Sequence, residues 1–209
     1  MTEKEAPPPD RGKRVTEIIG VFLLSVVAVL TAWCGFQASK WGGEMSIAFS
    51  QASSARIQAA DAEGAARSAR TFDLTIYAAY VEAVGGGNDE LADYIRDRFT
   101  PAFRVAYEAW VADGQAELGP FTRDEYVPEG TAEAEELTAR ADAKFAEALE
   151  NNQRGDNYSL LTVLFALVLF LTAMSQREIA SWVARVLLGM AFVITIVGVV
   201  IMATFPIRI

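Results

Sequence analysis

The side chains that most often perform acid–base, metal and redox chemistry are scarce in this chain of 209 residues. It contains no histidine and a single cysteine, Cys34. The absence of histidine excludes a histidine general base, the usual zinc ligand sets and a histidine-based pH switch. One cysteine excludes an intramolecular disulfide and a CxxC pair. The carboxylates and hydroxyls that remain form no catalytic constellation, so we predict a protein that is not an enzyme and uses no cofactor or metal.

Two carboxylates lie beside long apolar stretches and are the nearest candidates for a charged site. Glu44 follows Lys40 by four residues, a spacing that favours an ion pair on a helix surface. Asp156 directly precedes an apolar stretch, which suits a helix cap with Arg154 as its neighbour. A role in binding or passing a cation is the alternative for both carboxylates.

Three stretches without any charged residue decide the class of the protein. They cover residues 18–39, 157–176 and 186–207. Each approaches or exceeds the ~20 residues that a helix needs to cross a ~30 Å hydrocarbon core. We therefore predict three transmembrane helices. Because transporters usually place ionisable groups at mid-membrane, charge-free spans argue against a transporter that acts alone.

The charges outside these stretches predict an orientation. Residues 40–156 carry 22 acidic and 11 basic residues, whereas basic residues precede the first stretch and lie at Arg177 and Arg185. Short basic loops stay on the cytoplasmic side of a membrane. We expect the N-terminus and the 177–185 loop in the cytoplasm, and residues 40–156 and the C-terminus outside. An acidic surface of this kind repels nucleic acid, so lipid and protein are the expected partners.

Small residues recur at three- and four-residue spacing along the first helix. They form two runs that differ in phase: Ser25, Ala28, Ala32, Gly35 and Ser39, continuing through Gly42 and Ser46, and then Ala48, Ala52, Ala55, Ala59, Ala62, Ala66 and Ala69. Coiled-coil-like spacing places each run along one line on a helix, where small side chains allow close helix approach. We predict a helix-packing or oligomer seam, either within the chain or between subunits. The alternative is that alanine is abundant because it is the best helix former.

The sequence between the first two spans predicts about three helices. The first continues from the membrane to about residue 84 and is ended by glycines, and the second covers 89–115 with a kink or break at Pro101. The third begins at Thr131 and runs into the second span. No alternating strand pattern is present in the sequence. Trp41 and Tyr158 are expected as anchors at the outer membrane interface, and Trp182 at the inner one.

The predicted fold class is therefore an all-α membrane protein with three transmembrane helices and an extracytoplasmic antiparallel helical bundle. Its segments are a disordered cytoplasmic tail (1–17), transmembrane helix 1 (18–39), the acidic helical domain (40–156), transmembrane helix 2 (157–176), a cytoplasmic loop (177–185) and transmembrane helix 3 (186–207).

Two short stretches resemble a known group of proteins. Residues 32–38, AWCGFQA, are followed by Trp41, and residues 152–158, NQRGDNY, are followed by LTVLFA at 161–166. These stretches are similar to a group of uncharacterised bacterial membrane proteins with one N-terminal span, a helical extracytoplasmic domain and two C-terminal spans. The resemblance implies a location in the bacterial inner membrane and brings no assigned activity.

Two functions remain open at this point. The first is a self-associating structural or scaffold protein of the inner membrane, for which we expect a homo-oligomer with a central pore as one option. The second is an accessory subunit of a larger envelope or transport complex, which presents the acidic domain to a periplasmic protein partner.

Overall fold

A computed structural model describes residues 11–177 and 179–209, and these residues form helices and connecting loops without a strand. The five α-helices are α1 (Arg11–Gly85), α2 (Asp89–Arg96), α3 (Pro101–Ala112), α4 (Thr131–Ser175) and α5 (Ser181–Ala203). Helices α1, α4 and α5 each contain a segment long and apolar enough to cross a membrane. The protein is thus an all-helical membrane protein with three candidate spans, which confirms the coarse prediction.

Two helix boundaries differ from those read from the sequence. Helix α1 begins at Arg11, so residues 11–17 of the predicted tail are helical, and residues 1–10 of that tail lie outside the described residues. The predicted helix 89–115 is two helices, with a break before Pro101. At this break the Oγ1 of Thr100 accepts a hydrogen bond from the backbone N–H of Phe103 at 3.2 Å. Thr100 is therefore an N-cap, and proline occupies the first helical position that tolerates it.

The chain divides into two compact units. The first, which we call the apolar unit, contains α1 as far as Ala48 and the chain from Ala146 onward. The second, which we call the acidic unit, contains residues 49–145. Helices α1 and α4 contribute residues to both units.

The apolar unit has a core supplied by α1, α4 and α5. The buried aliphatic and aromatic side chains are Leu23 and Val27 on α1, Leu161, Phe165 and Val168 on α4, and Leu188 and Ala191 on α5. Gly198 on α5 permits a close approach to α4, because a Cβ there would lie 2.7 Å from the ring of Phe165. Because lipid tails are as apolar as these side chains, such a core holds the helices together through close van der Waals packing.

The acidic unit is built on a cluster of aromatic rings. Phe99 and Phe103 are buried and lie 4.8 Å apart between ring centroids, and Phe121 stacks on Phe103 at 4.6 Å. Tyr77 and Tyr80 of α1 contact these rings edge-on. Offset and edge-to-face pairs of this kind add about 0.5–1.5 kcal/mol each beyond the area that they bury. The cluster holds α3 and the loop after it against α1.

The other end of the acidic unit is an alanine contact between α1 and α4. The buried alanines are Ala52, Ala55, Ala59 and Ala62 on α1, and Ala134 and Ala141 on α4. Gly130, just before α4, has a φ of +92°, and a Cβ there would lie 2.7 Å from the carbonyl oxygen of Ala62. Only glycine accommodates both the backbone angle and the close approach. Small residues thus bring the two helices into backbone contact.

Aromatic and charged side chains flank this alanine contact. The rings of Phe49 and Phe145 meet at 5.4 Å, and Arg56 bonds Asp142 at 3.6 Å. The Arg56 guanidinium also lies 5.0 Å from the Phe145 ring. Along the contact, residue numbers rise on α1 while they fall on α4.

Candidate functional site

Polar side chains gather at the end of the apolar unit where α5 stops. We call this group the end cluster and define it as Gln37, Trp41 and Glu44 of α1, Arg154 and Tyr158 of α4, and Arg208, which follows α5. Gln37 and Tyr158 are fully buried and Trp41 nearly so. A buried polar group destabilises the fold unless it is hydrogen-bonded, so the partners of these side chains decide what the cluster does.

Gln37 binds the backbone of Arg208 with both ends of its amide. Its Nε2 donates to the Arg208 carbonyl oxygen at 2.9 Å, and its Oε1 accepts from the Arg208 N–H at 3.0 Å. A carboxamide is suited to this pairing because it offers a donor and an acceptor side by side. In an apolar surrounding such bonds are stronger than in water, and the groups are costly when left unpaired.

Tyr158 binds the same segment two residues earlier. Its hydroxyl donates to the carbonyl oxygen of Pro206 at 3.1 Å, and its ring packs edge-on against Phe205 at 5.4 Å. Tyr158 and Gln37 therefore fix alternate residues of one short segment to two different helices.

Trp41 lies between two arginines. The guanidinium of Arg154 is 4.7 Å from its ring centroid and that of Arg208 is 6.0 Å away. Both distances fall within the range of cation–π attraction. The indole Nε1 of Trp41 is buried without a hydrogen-bond partner in the described part of the chain.

Carboxylates balance both arginines of the end cluster. Arg208 Nε donates to Glu44 at 3.1 Å, and Arg154 bonds Glu150 and the Asn151 side chain. The predicted Lys40–Glu44 pair is thus replaced by a pair with Arg208, because the segment after α5 returns to α1. The predicted cap at Asp156 is wrong: α4 continues through this residue, whose side chain accepts from Asn152 at 3.1 Å.

The two stretches that carry the family resemblance meet at the end cluster. Gln37 and Trp41 come from the first stretch, and Arg154 and Tyr158 come from the second. Between them α4 lies against α1 at Gly155, where an added Cβ would make an ordinary contact, 3.6 Å from the Cβ of Trp41. Sequence reasoning did not single out Gln37 or Arg208. The available signal was an amide inside a charge-free apolar span, which requires a partner.

The structure separates the two runs of small residues. The first run is exposed on α1 within the apolar unit: Ser25, Ala28, Ala32, Gly35 and Ser39. Most of the second run is buried within the chain, at Ala48, Ala52, Ala55, Ala59 and Ala62, whereas Ala66 and Ala69 are half-buried. Of the predicted interface anchors, Trp182 is exposed while Trp41 and Tyr158 are packed inside the apolar unit. Their anchor role stays a prediction.

A second buried polar site lies in the acidic unit. Asp73 of α1 is 1% exposed, and its two carboxylate oxygens accept from the Thr100 hydroxyl at 2.8 Å and the Tyr126 hydroxyl at 2.9 Å. Burial, and then the bond to Asp73, raise the pKa of Tyr126 well above its usual range. Asp73 thus attaches the α2–α3 break and the loop before α4 to the same point on α1.

Arg123 organises the loop that precedes α4. Its guanidinium bonds three carboxylates, those of Asp113 at 3.0 Å, Glu117 at 3.1 Å and Glu125 at 3.1 Å. The hydrogen bond from Arg123 lowers the pKa of Glu125. The Arg123 side chain is only 17% exposed, but its three carboxylate partners are 39–59% exposed. Because solvent screens the carboxylates, the network orders the loop and contributes little to stability for each pair.

In both units the buried polar side chains hold separate segments of the chain together. No group of three or more His, Cys, Asp or Glu side chains within residues 11–177 and 179–209 is arranged to hold a metal ion. Comparison with protein-family models, curated proteins and solved structures finds no match to this chain. The features that bear on function are the helices and the side chains exposed on their surfaces.

Proposed function

We propose that this protein is a non-enzymatic structural protein of the bacterial inner membrane that self-associates through the exposed small-residue face of α1. The proposed layout has residues 40–156 outside the cytoplasm as an antiparallel helical bundle, carried by three transmembrane helices. The charge distribution supports this orientation, since the basic residues flank the first span and occupy the 177–185 loop.

One observation carries the proposal, namely that α1 has two different faces in the apolar unit. Leu23, Val27 and Gln37 are buried on the face that packs on its own chain. Ala28, Ala32 and Gly35 are exposed on another face. Lipid tails supply no hydrophobic drive for association, so helices in membranes associate where small residues permit close backbone contact. A second α1 helix fits such a face.

Native mass spectrometry of the protein, released from its own membranes in mild detergent, tests this association. We expect a single closed homo-oligomer for the wild type and smaller species for Gly35→Leu, because a leucine on the small-residue face prevents close contact. Gly189→Leu is the matched control. Gly189 is also an exposed glycine of an apolar helix, and neither position has another heavy atom within 4 Å of an added Cβ.

Either of two results overturns the self-association. One is a wild-type protein that is monomeric at every detergent concentration that keeps it folded. The other is a Gly35→Leu variant with the same mass distribution as Gly189→Leu. If a closed oligomer forms, solute flux through liposomes at saturating protein density decides whether it encloses a pore.

A second candidate function, the accessory subunit, is favoured by a groove in the acidic unit. The groove has a volume of about 660 Å³ and lies between α1 and α4. Alanines form part of its lining at Ala66, Ala134 and Ala139. The carboxylates of Glu63, Glu135 and Asp142 outnumber the one basic side chain of the lining, Arg67. Its shape and charge suit a basic amphipathic helix of a partner protein.

Gentle extraction followed by mass measurement separates the two candidates. An accessory subunit carries a second protein in fixed ratio, and Glu135→Lys in the groove should release it. Glu136→Lys makes the same charge change at the adjacent exposed residue outside the groove, and should retain the partner. A mass explained by copies of this chain alone contradicts the accessory role.

A further inference from the structure

Residues 206–209, which follow the packed ring of Phe205, are held by polar bonds rather than by burial of their side chains. Ile207 is 58% exposed and Ile209 is 99% exposed, so neither supplies much apolar contact within the chain. The attachments are the Gln37 amide on the Arg208 backbone, the Tyr158 hydroxyl on the Pro206 carbonyl, and the Arg208–Glu44 pair. A segment fixed by a few bonds opens locally at a much lower free energy than the whole fold unfolds.

Closure of this segment covers Gln37, which has no other hydrogen-bond partner within residues 11–177 and 179–209. Gln37 makes its hydrogen bonds to Arg208 alone, across 171 residues of sequence. Cys34 lies three residues before Gln37 on α1, is fully buried, and has its Sγ 3.8 Å from the Sδ of Met202 on α5. When the segment leaves, the Gln37 amide needs water in place of the Arg208 backbone, because an unpaired amide in an apolar surrounding is costly.

We propose that residues 206–209 form a latch at this end of the apolar unit, and that its opening admits water to Gln37 and Cys34 between α1 and α5. The closed state is the one seen here. The open state exchanges the amide pair at Arg208 for water and lets the end of α5 at Met202 move away from Cys34, while the rest of the helices stay packed. This inference does not depend on self-association, since all of its residues belong to one chain.

Cys34 reports on the latch because it is the only cysteine in the sequence. The experiment treats the full-length protein in its native membranes with N-ethylmaleimide, and follows the modified fraction over time by intact-protein mass spectrometry. We expect slow modification of the wild type. Gln37→Leu keeps an apolar side chain of similar size but loses both bonds to Arg208, and should react roughly tenfold faster as the open state becomes more populated.

Two further variants keep the result decisive. Gln176→Leu makes the same chemical change at an exposed residue of the apolar unit that directly follows α4, beyond the helix end remote from Tyr158, and should react like the wild type. Tyr158→Phe keeps the ring against Phe205 and removes only the hydroxyl bond to Pro206, so it should react faster than the wild type by a smaller factor. If Gln37→Leu does not fold, Tyr158→Phe decides the outcome.

Hydrogen exchange at the Arg208 amide gives a second readout. In a latch, the Arg208 N–H and the Cys34 thiol become accessible together, so both rates rise in the same variants while the melting temperature stays near that of the wild type. Unchanged Cys34 modification in Gln37→Leu and Tyr158→Phe overturns the proposal. So does faster modification with full protection of the Arg208 amide, which places the opening elsewhere.

Discussion

Single buried polar side chains make the long-range attachments in both units. Asp73 holds two loops of the acidic unit through the hydroxyls of Thr100 and Tyr126, and Gln37 holds the segment after α5 through the Arg208 backbone. In each case one side chain of α1 satisfies partners that are distant in sequence. The loss of one partner leaves a buried acceptor or donor unpaired, at a cost of about 1–3 kcal/mol.

The raised pKa of Tyr126 predicts that the acidic unit loses stability in alkali. Its folded-state pKa lies above the ordinary tyrosine value, so the folded state holds the phenolic proton more tightly than the unfolded state. This stabilisation is complete below about pH 10 and is lost as the pH rises through the raised pKa. We expect the melting temperature, followed by circular dichroism, to fall progressively as the pH rises above about 10.

Tyr126→Phe separates this contribution from general alkaline effects. At pH 7 the variant should be less stable by about 1–3 kcal/mol, because one oxygen of the buried Asp73 loses its donor. Its melting temperature should also decline less steeply in alkali than that of the wild type. Tyr94→Phe, which removes the hydroxyl of an exposed tyrosine, is the control. Equal alkaline slopes for Tyr126→Phe and the wild type contradict the assignment.

At the scale of helices, the sequence predicts which segments are helical better than it predicts what they face. The apolar spans, the break before Pro101 and the start of α4 at Thr131 follow from local signals of composition, proline and capping. The two alanine and glycine runs look alike in sequence, yet one is exposed and the other is mostly buried against the chain itself. The spacing of small residues along a helix therefore does not show whether they pack against the same chain, another subunit or lipid.

The same limit applies to the end cluster. Gln37 is recognisable as a polar residue in an apolar span, but its partner is the Arg208 backbone. No pattern of residue types reveals a backbone partner 171 positions away. The pairing of Glu44 with Arg208 rather than Lys40 has the same origin, since both depend on the path of the segment after α5.

The close contact of α1 with α4 predicts opposite effects for two glycine substitutions. Gly130→Ala places a Cβ 2.7 Å from the Ala62 carbonyl oxygen at a φ of +92°, and should destabilise the protein by about 1–3 kcal/mol or more. Gly64→Ala lies within helix α1 with no heavy atom within 4 Å of the added Cβ, and should stabilise it by up to about 1 kcal/mol. Thermal melting measures both, and equal shifts would refute the packing described here.

For the whole molecule, the charge distribution and the three apolar helices together make a prediction about sidedness. The proposed topology has α1 crossing once before the acidic unit and α4 crossing back after it, which predicts that the acidic unit and the α4–α5 loop lie on opposite sides of the membrane. Arg177 and Arg185 flank that loop, whereas the acidic unit has a large excess of carboxylates. The positive-inside tendency then places the loop in the cytoplasm.

Cysteine labelling of intact cells tests this sidedness in a Cys34→Ala background. Ser68→Cys in the acidic unit should react with a membrane-impermeant maleimide applied from outside, because Ser68 is exposed. Ser181→Cys, exposed at the start of α5, should react only after the membrane is permeabilised. Labelling of both positions in intact cells would mean that the two positions lie on the same side of the membrane. Labelling of Ser181→Cys alone would mean that the protein has the opposite orientation. The first result contradicts a membrane crossing by α4, and the second contradicts the orientation predicted from the charges.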